Sequence, residues 1–241
     1  METSMISATR TTQRTRRLIA CAAALTLTSF MSRAPLAHAD DAHDVVPPAV
    51  PPALEAPAGN TPFLVGHADG TQDYICMPCP NTITAAAACP ASGFAWAFFG
   101  PQATLLDDDD EQIITHFLSP NLGPIPPEVS GTARATWQDS EDTSTAWAKA
   151  IATSSDSAFV APGAIPWLLL QVVGSQSGPT DGDRLTGVTY IQRLSTSGGV
   201  APATGCAASA DVGSKALVHY TANYFFYKAA STGHRKGHHR D

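Results

Sequence analysis

Branched and aromatic residues fall in short runs separated by turn formers along most of the chain. Asp69-Gly70 parts Phe63-Leu64-Val65 from Gln72 to Cys76, a pairing that predicts a hairpin. Phe94 to Phe99 is an aromatic run that ends at Gly100-Pro101. Thr104 to Leu106 and Gln112 to Phe117 flank the acidic run Asp107 to Glu111, which reads as a solvated turn. Around Arg134 to Asp139 the alternation is clean, with Ala133, Ala135 and Trp137 on one face and Arg134, Thr136 and Gln138 on the other. Leu168 to Val173, Leu185 to Leu194 and Tyr220 to Tyr227 add further strand-like runs. Thr145 to Ala152 is ambiguous, since its alanines favour helix and its surroundings favour strand. No strand–helix alternation points to a parallel sheet. The pattern predicts an all-β fold, an antiparallel sandwich or barrel of about eight to ten short strands, linked by disulfides.

The ends differ from this middle. Residues 1–39 hold a basic stretch with Arg10, Arg14, Arg16 and Arg17, an apolar run from Leu18 to Phe30, and Ala37-His38-Ala39. That order is the order of a secretory signal peptide, cleaved near Ala39. Residues 40–60 are rich in Pro and Ala without a period of 2 or 3.6 and read as a polyproline-like linker. Residues 229–241 are small, basic and rich in His, and read as a disordered tail. One domain, 61–228, lies between.

Charge narrows the partners. The whole chain of 241 residues carries a formal charge of −7, and the arginine-rich leader removes positive charge when it leaves. An anionic protein is a poor nucleic-acid binder. No second apolar run reaches membrane-spanning length. The expectation is a product secreted to the periplasm or the extracellular space, with no integral membrane segment after cleavage.

After the leader, four cysteines remain: Cys76, Cys79, Cys89 and Cys206. An even number in an exported protein favours disulfides, and three pairings are possible. The preferred one joins Cys76 to Cys206, clasping the ends of the domain, and Cys79 to Cys89. Cys76-Met77-Pro78-Cys79 has redox spacing, but its prolines resist the helix that a reactive thiolate needs.

Candidate chemistry is sparse. His116 lies in an apolar run, and imidazole is a versatile acid–base group, so it is the candidate catalytic residue. The bland alternative is a buried, hydrogen-bonded histidine. Trp96, Trp137 and Trp167 are candidate sugar-stacking rings, against the commoner role of core residues. Asp107 to Glu111 lacks the glycine and glutamate of an EF-hand loop. The glycines of Gly174-Ser175-Gln176-Ser177-Gly178 flank a glutamine where a serine nucleophile would stand. No dinucleotide fingerprint is present, and neither a metal nor a cofactor is expected.

Several segments, in order, resemble the domain-of-unknown-function family 3455. They are Gly70 to Cys76, Trp96 with Pro101 to Leu105, His116-Phe117, Ala164 to Leu170, Tyr190 to Arg193, Gly198 to Pro202, Gly205-Cys206, and Tyr220 to Tyr227. The chain departs from the family pattern at Leu118-Ser119-Pro120-Asn121. The resemblance implies an exported domain with no established activity, and it places Cys76 and Cys206 at two motif positions. Three functions compete: a non-catalytic domain that binds a small molecule, glycan or protein, a hydrolase-like enzyme pairing His116 with an acidic residue, and a purely structural secreted protein.

Overall fold

The computed structural model describes residues 45–79 and 90–230. The expected leader, Cys89 with its expected bond to Cys79, and residues 231–241 of the tail lie outside the described residues. Eight strands run in chain order: β1 (Asn60–Pro78), β2 (Phe94–Leu106), β3 (Gln112–Pro120), β4 (Ala133–Asp139), β5 (Thr145–Ser154), β6 (Trp167–Gln176), β7 (Val188–Gly198) and β8 (Lys215–Ala229). Each pairs antiparallel with the next, and β1 pairs with β8, so the sheet closes into a barrel. The all-β expectation holds, and of its two forms the barrel is the one adopted. Among the described residues no helix is long and apolar enough to cross a membrane.

Closure follows from alternation. Leu105, Ile114, Trp137, Ile191, Tyr224 and Phe226 are buried together in the main core, one or two from each of several strands. Inward and outward residues alternate along each strand, so one parity fills the barrel. The other parity is not all wet. On β6, β7 and β8, Trp167, Leu169, Leu194, Phe225 and Tyr227 form a second buried cluster with Val160 and Leu54.

Leu54 comes from the Pro/Ala-rich segment, whose described part, from Val45, packs against this second cluster. A short 3-10 turn, Pro52–Leu54, buries the leucine completely, and the Gln192 amide donates to the Leu54 carbonyl at 2.6 Å. A proline-rich strap can follow an apolar surface without any periodicity of its own, because its backbone needs few internal hydrogen bonds. Leu54→Ala is expected to lower stability by about 2–4 kcal/mol, read by urea unfolding. A loss under about 0.5 kcal/mol would show the strap to be a passenger.

Two turn expectations are corrected. Asp69-Gly70 is not a hairpin: β1 runs straight through it. A Cβ on Gly70 would sit 2.1 Å from the Gln102 carbonyl oxygen, so this glycine serves close backbone approach. Likewise β2 does not end at Gly100-Pro101 but continues to Leu106, with a register shift opposite Asp73 and Tyr74. The acidic run is a tight turn between β2 and β3, where the Asp107 carboxylate accepts from the N–H groups of Asp109 and Glu111. The ambiguous Thr145 segment is strand β5.

Candidate functional site

β2 and β3 pair only from Ala103↔His116 to Leu106↔Gln112. Beyond that point β2 stays with β1, and β3 stays with β4 as far as Pro120↔Ala133. Pro101, which has no N–H to donate, falls where the two strands have parted. Small side chains leave room inside this end: Ala135 on β4 and Ala148 and Ala150 on β5 all line one hollow of about 280 Å³. Trp137, Leu168, Leu170 and Phe98 supply its apolar wall. A second hollow of about 660 Å³ carries Asp69 and Asp73, and shares Pro101, His116 and Leu118 with the first. Both of these carboxylates already have partners. The Asp73 carboxylate accepts from Thr71 Oγ1 at 2.6 Å and from Gln102 Nε2 at 2.7 Å, and Asp69 meets His219 at 2.9 Å. The first hollow has the unmet chemistry.

His116 is 3 % exposed and lies flat against Trp137, with ring centroids 4.3 Å apart and planes 12° apart. Tyr224 meets it edge-on at 5.1 Å. Its Nδ1 is 2.8 Å from the Thr136 carbonyl oxygen. A carbonyl only accepts, so Nδ1 carries the hydrogen and Nε2 of the neutral ring is an acceptor. Burial, with a smaller push from the Arg193 charge, lowers its pKa to about 3, against the hydrogen bond to Thr136. At neutral pH the ring is therefore uncharged and a weak base.

Three residues of the lining each carry a donor that has no partner. The donors are Gln72 Nε2, Trp137 Nε1 and Arg193 Nε, each buried. The Gln72 amide lies beside the Tyr220 hydroxyl without closing a bond of good geometry. Arg193 Nη2 donates to the Pro166 carbonyl at 2.9 Å, and its guanidinium faces the Tyr224 hydroxyl. Burial raises the pKa of both Tyr220 and Tyr224, whose hydroxyls are 3.3 Å apart, so both stay protonated.

The candidates read from the sequence scatter. His116 and Trp137 meet in the hollow. Trp96 stands away from it, with Nε1 donating to the Thr204 carbonyl at 3.0 Å. Trp167 faces the second cluster, edge-on to Phe159 at 5.8 Å. The three rings share no face. No hydrogen bond or ion pair joins His116 to a carboxylate among the described residues. Among the same residues no three His, Cys, Asp or Glu side chains are grouped to hold a metal. Cys76 and Cys206 are bonded to each other, as preferred. Gln72 and Arg193 were legible only as strand residues. The available signal was Ile191-Gln192-Arg193-Leu194, where both parities mix one apolar and one polar residue, as in a strand covered on both sides.

No curated protein and no solved structure matches the chain. A family model described as "Protein of unknown function (DUF3455)" matches residues 57–228, from the end of the strap to the last turn of pairing on β8. That span holds all of the barrel but the last residue of β8, both bonded cysteines and every residue of the hollow, and the chain accordingly belongs to the DUF3455 family.

Proposed function

We propose that the chain is a non-catalytic binding protein, exported to an oxidising compartment, that takes a small molecule into the hollow at the parted end of its barrel. One observation carries the reading: three residues that line one cavity, Gln72, Trp137 and Arg193, each hold a buried donor with no hydrogen-bond partner. Buried polar groups are nearly always satisfied, and one without a partner costs about 1–3 kcal/mol. Three on residues lining one apolar-walled hollow favour a guest that satisfies them. The hydrolytic alternative fares worse. It needs His116 oriented by an acid, and that ring is oriented by a backbone carbonyl and held neutral by burial. The disulfide supports export, since such bonds persist in oxidising spaces.

A thermal-shift screen of small aromatic and aliphatic compounds tests this. A ligand at about a hundredfold excess over its Kd adds about 2.7 kcal/mol, a rise of about 5–10 °C for a domain of this size. Ala148→Trp, which fills the cavity, should abolish the shift while the barrel stays folded by circular dichroism. Failure of every compound to move the wild-type transition would sink the reading.

A further inference from the structure

We infer that the guest is an organic anion, a carboxylate or similar oxyanion on a flat or aliphatic apolar body, whose charged end meets Arg193. This deepens the binding reading and rests on it. The described part of the chain holds six lysines and arginines, and three of them, Arg134, Lys149 and Arg193, line this one hollow. No aspartate or glutamate lines it, on a chain whose formal charge is −7. Such clustering against the overall charge makes a local positive potential.

The three cations are not equivalent. Arg134 and Lys149 share Glu128, at 2.6 Å and 3.9 Å, so one of their two charges is matched and Arg134 is held in a close ion pair. Arg193 has no carboxylate partner among the described residues; its contacts with the Pro166 carbonyl and the Tyr224 hydroxyl leave Nε open. The other two unmatched groups on residues of this lining, Gln72 Nε2 and Trp137 Nε1, are donors as well. Donors around an uncompensated guanidinium suit the oxygens of an anion. They do not suit a cation, and they offer a sugar hydroxyl few acceptors beyond His116 Nε2. The apolar wall excludes a bare inorganic anion as the natural fit, since it would leave Leu168, Leu170 and Phe98 against water. A volume of about 280 Å³ suits one or two rings or a short chain.

Isothermal titration of the wild-type protein with benzoate, 2-naphthoate and decanoate, each beside its primary amide, decides the matter. Acid and amide have nearly the same shape, so their difference reads the charge. The expected result is at least one acid binding about tenfold or more tighter than its amide. Arg193→Gln should remove that advantage and leave the amide's affinity unchanged, while Arg193→Lys keeps part of it. Equal binding of acid and amide overturns the anion proposal and leaves the cavity reading standing. Binding of neither overturns both. An acid preference that survives Arg193→Gln overturns the role of Arg193. The comparison on wild-type protein needs no variant, so it stands even if Arg193→Gln does not fold.

Discussion

Cys76→Ala with Cys206→Ala is expected to lower the unfolding free energy by about 3–5 kcal/mol and the midpoint by roughly 10 °C. The bond joins residues 130 apart in sequence, and a loop of that length loses about 5 kcal/mol worth of chain freedom when it is closed in the unfolded state. The native state gives a second reason. Cys76 is fully buried near the end of β1, while Cys206 lies in the long connection between β7 and β8. That connection is otherwise pinned at few points, among them Trp96 to the Thr204 carbonyl, and Gly213 and Ser214 to the backbone of Cys76. Guanidinium unfolding of the wild type with and without reductant, beside the double variant, checks the expectation. A double variant as stable as the oxidised wild type would show that the hydrogen bonds alone hold the connection.

What the sequence made legible, and what it hid, follows one physical division. Ala133 to Asp139 announced a strand because alternation is a local property of side chains on a pleat. Asp69-Gly70 misled because glycine answers two different needs, a turn and a close approach. The deciding fact, the Gln102 carbonyl against the missing Cβ, comes from another strand. Closure of β1 on β8 is equally non-local: a sandwich and a barrel share the same alternation and differ in which edges meet. The strap from Val45 carried no signal, since proline supports an extended path whether or not a surface lies beneath it.

The site divides along the same line. His116 drew notice by its chemistry, and the structure places it in the hollow. The alanines of Thr145 to Ala152 looked like helix formers, yet Ala148 and Ala150 lie on strand β5 and line the hollow. Arg193 was hidden by its strand. An inward arginine is visible only once parity is assigned, and parity on β7 is masked by the second buried cluster on its outer side. The buried strap and the unnoticed arginine thus have one cause: covering the outside of β6, β7 and β8 erases the alternation that would have set Arg193 apart.

Acid should weaken the fold through His116, and the sign can be worked out from its burial. In the folded chain its pKa is about 3; in the unfolded chain it is near the ordinary 6.5. Below 6.5 the unfolded state takes up a proton that the folded state refuses, so stability falls as pH drops through 6.5 toward 3. The full difference corresponds to about 5 kcal/mol, of which about 3 kcal/mol is lost by pH 4.5. Carboxylates also titrate in the lower part of this window, so the test is a difference. Urea unfolding at pH 7.5 and pH 4.5 is compared for the wild type and for His116→Gln, which can still donate to the Thr136 carbonyl. The variant should lose about 3 kcal/mol less on acidification than the wild type. Equal losses would mean that the imidazole ionises inside the barrel, and a charged ring stacked on Trp137 beside Arg193 would be hard to reconcile with an anion-free cavity. A bound organic acid should shrink the wild-type loss, because its negative charge at Arg193 favours the protonated ring and brings the folded pKa back toward the unfolded one.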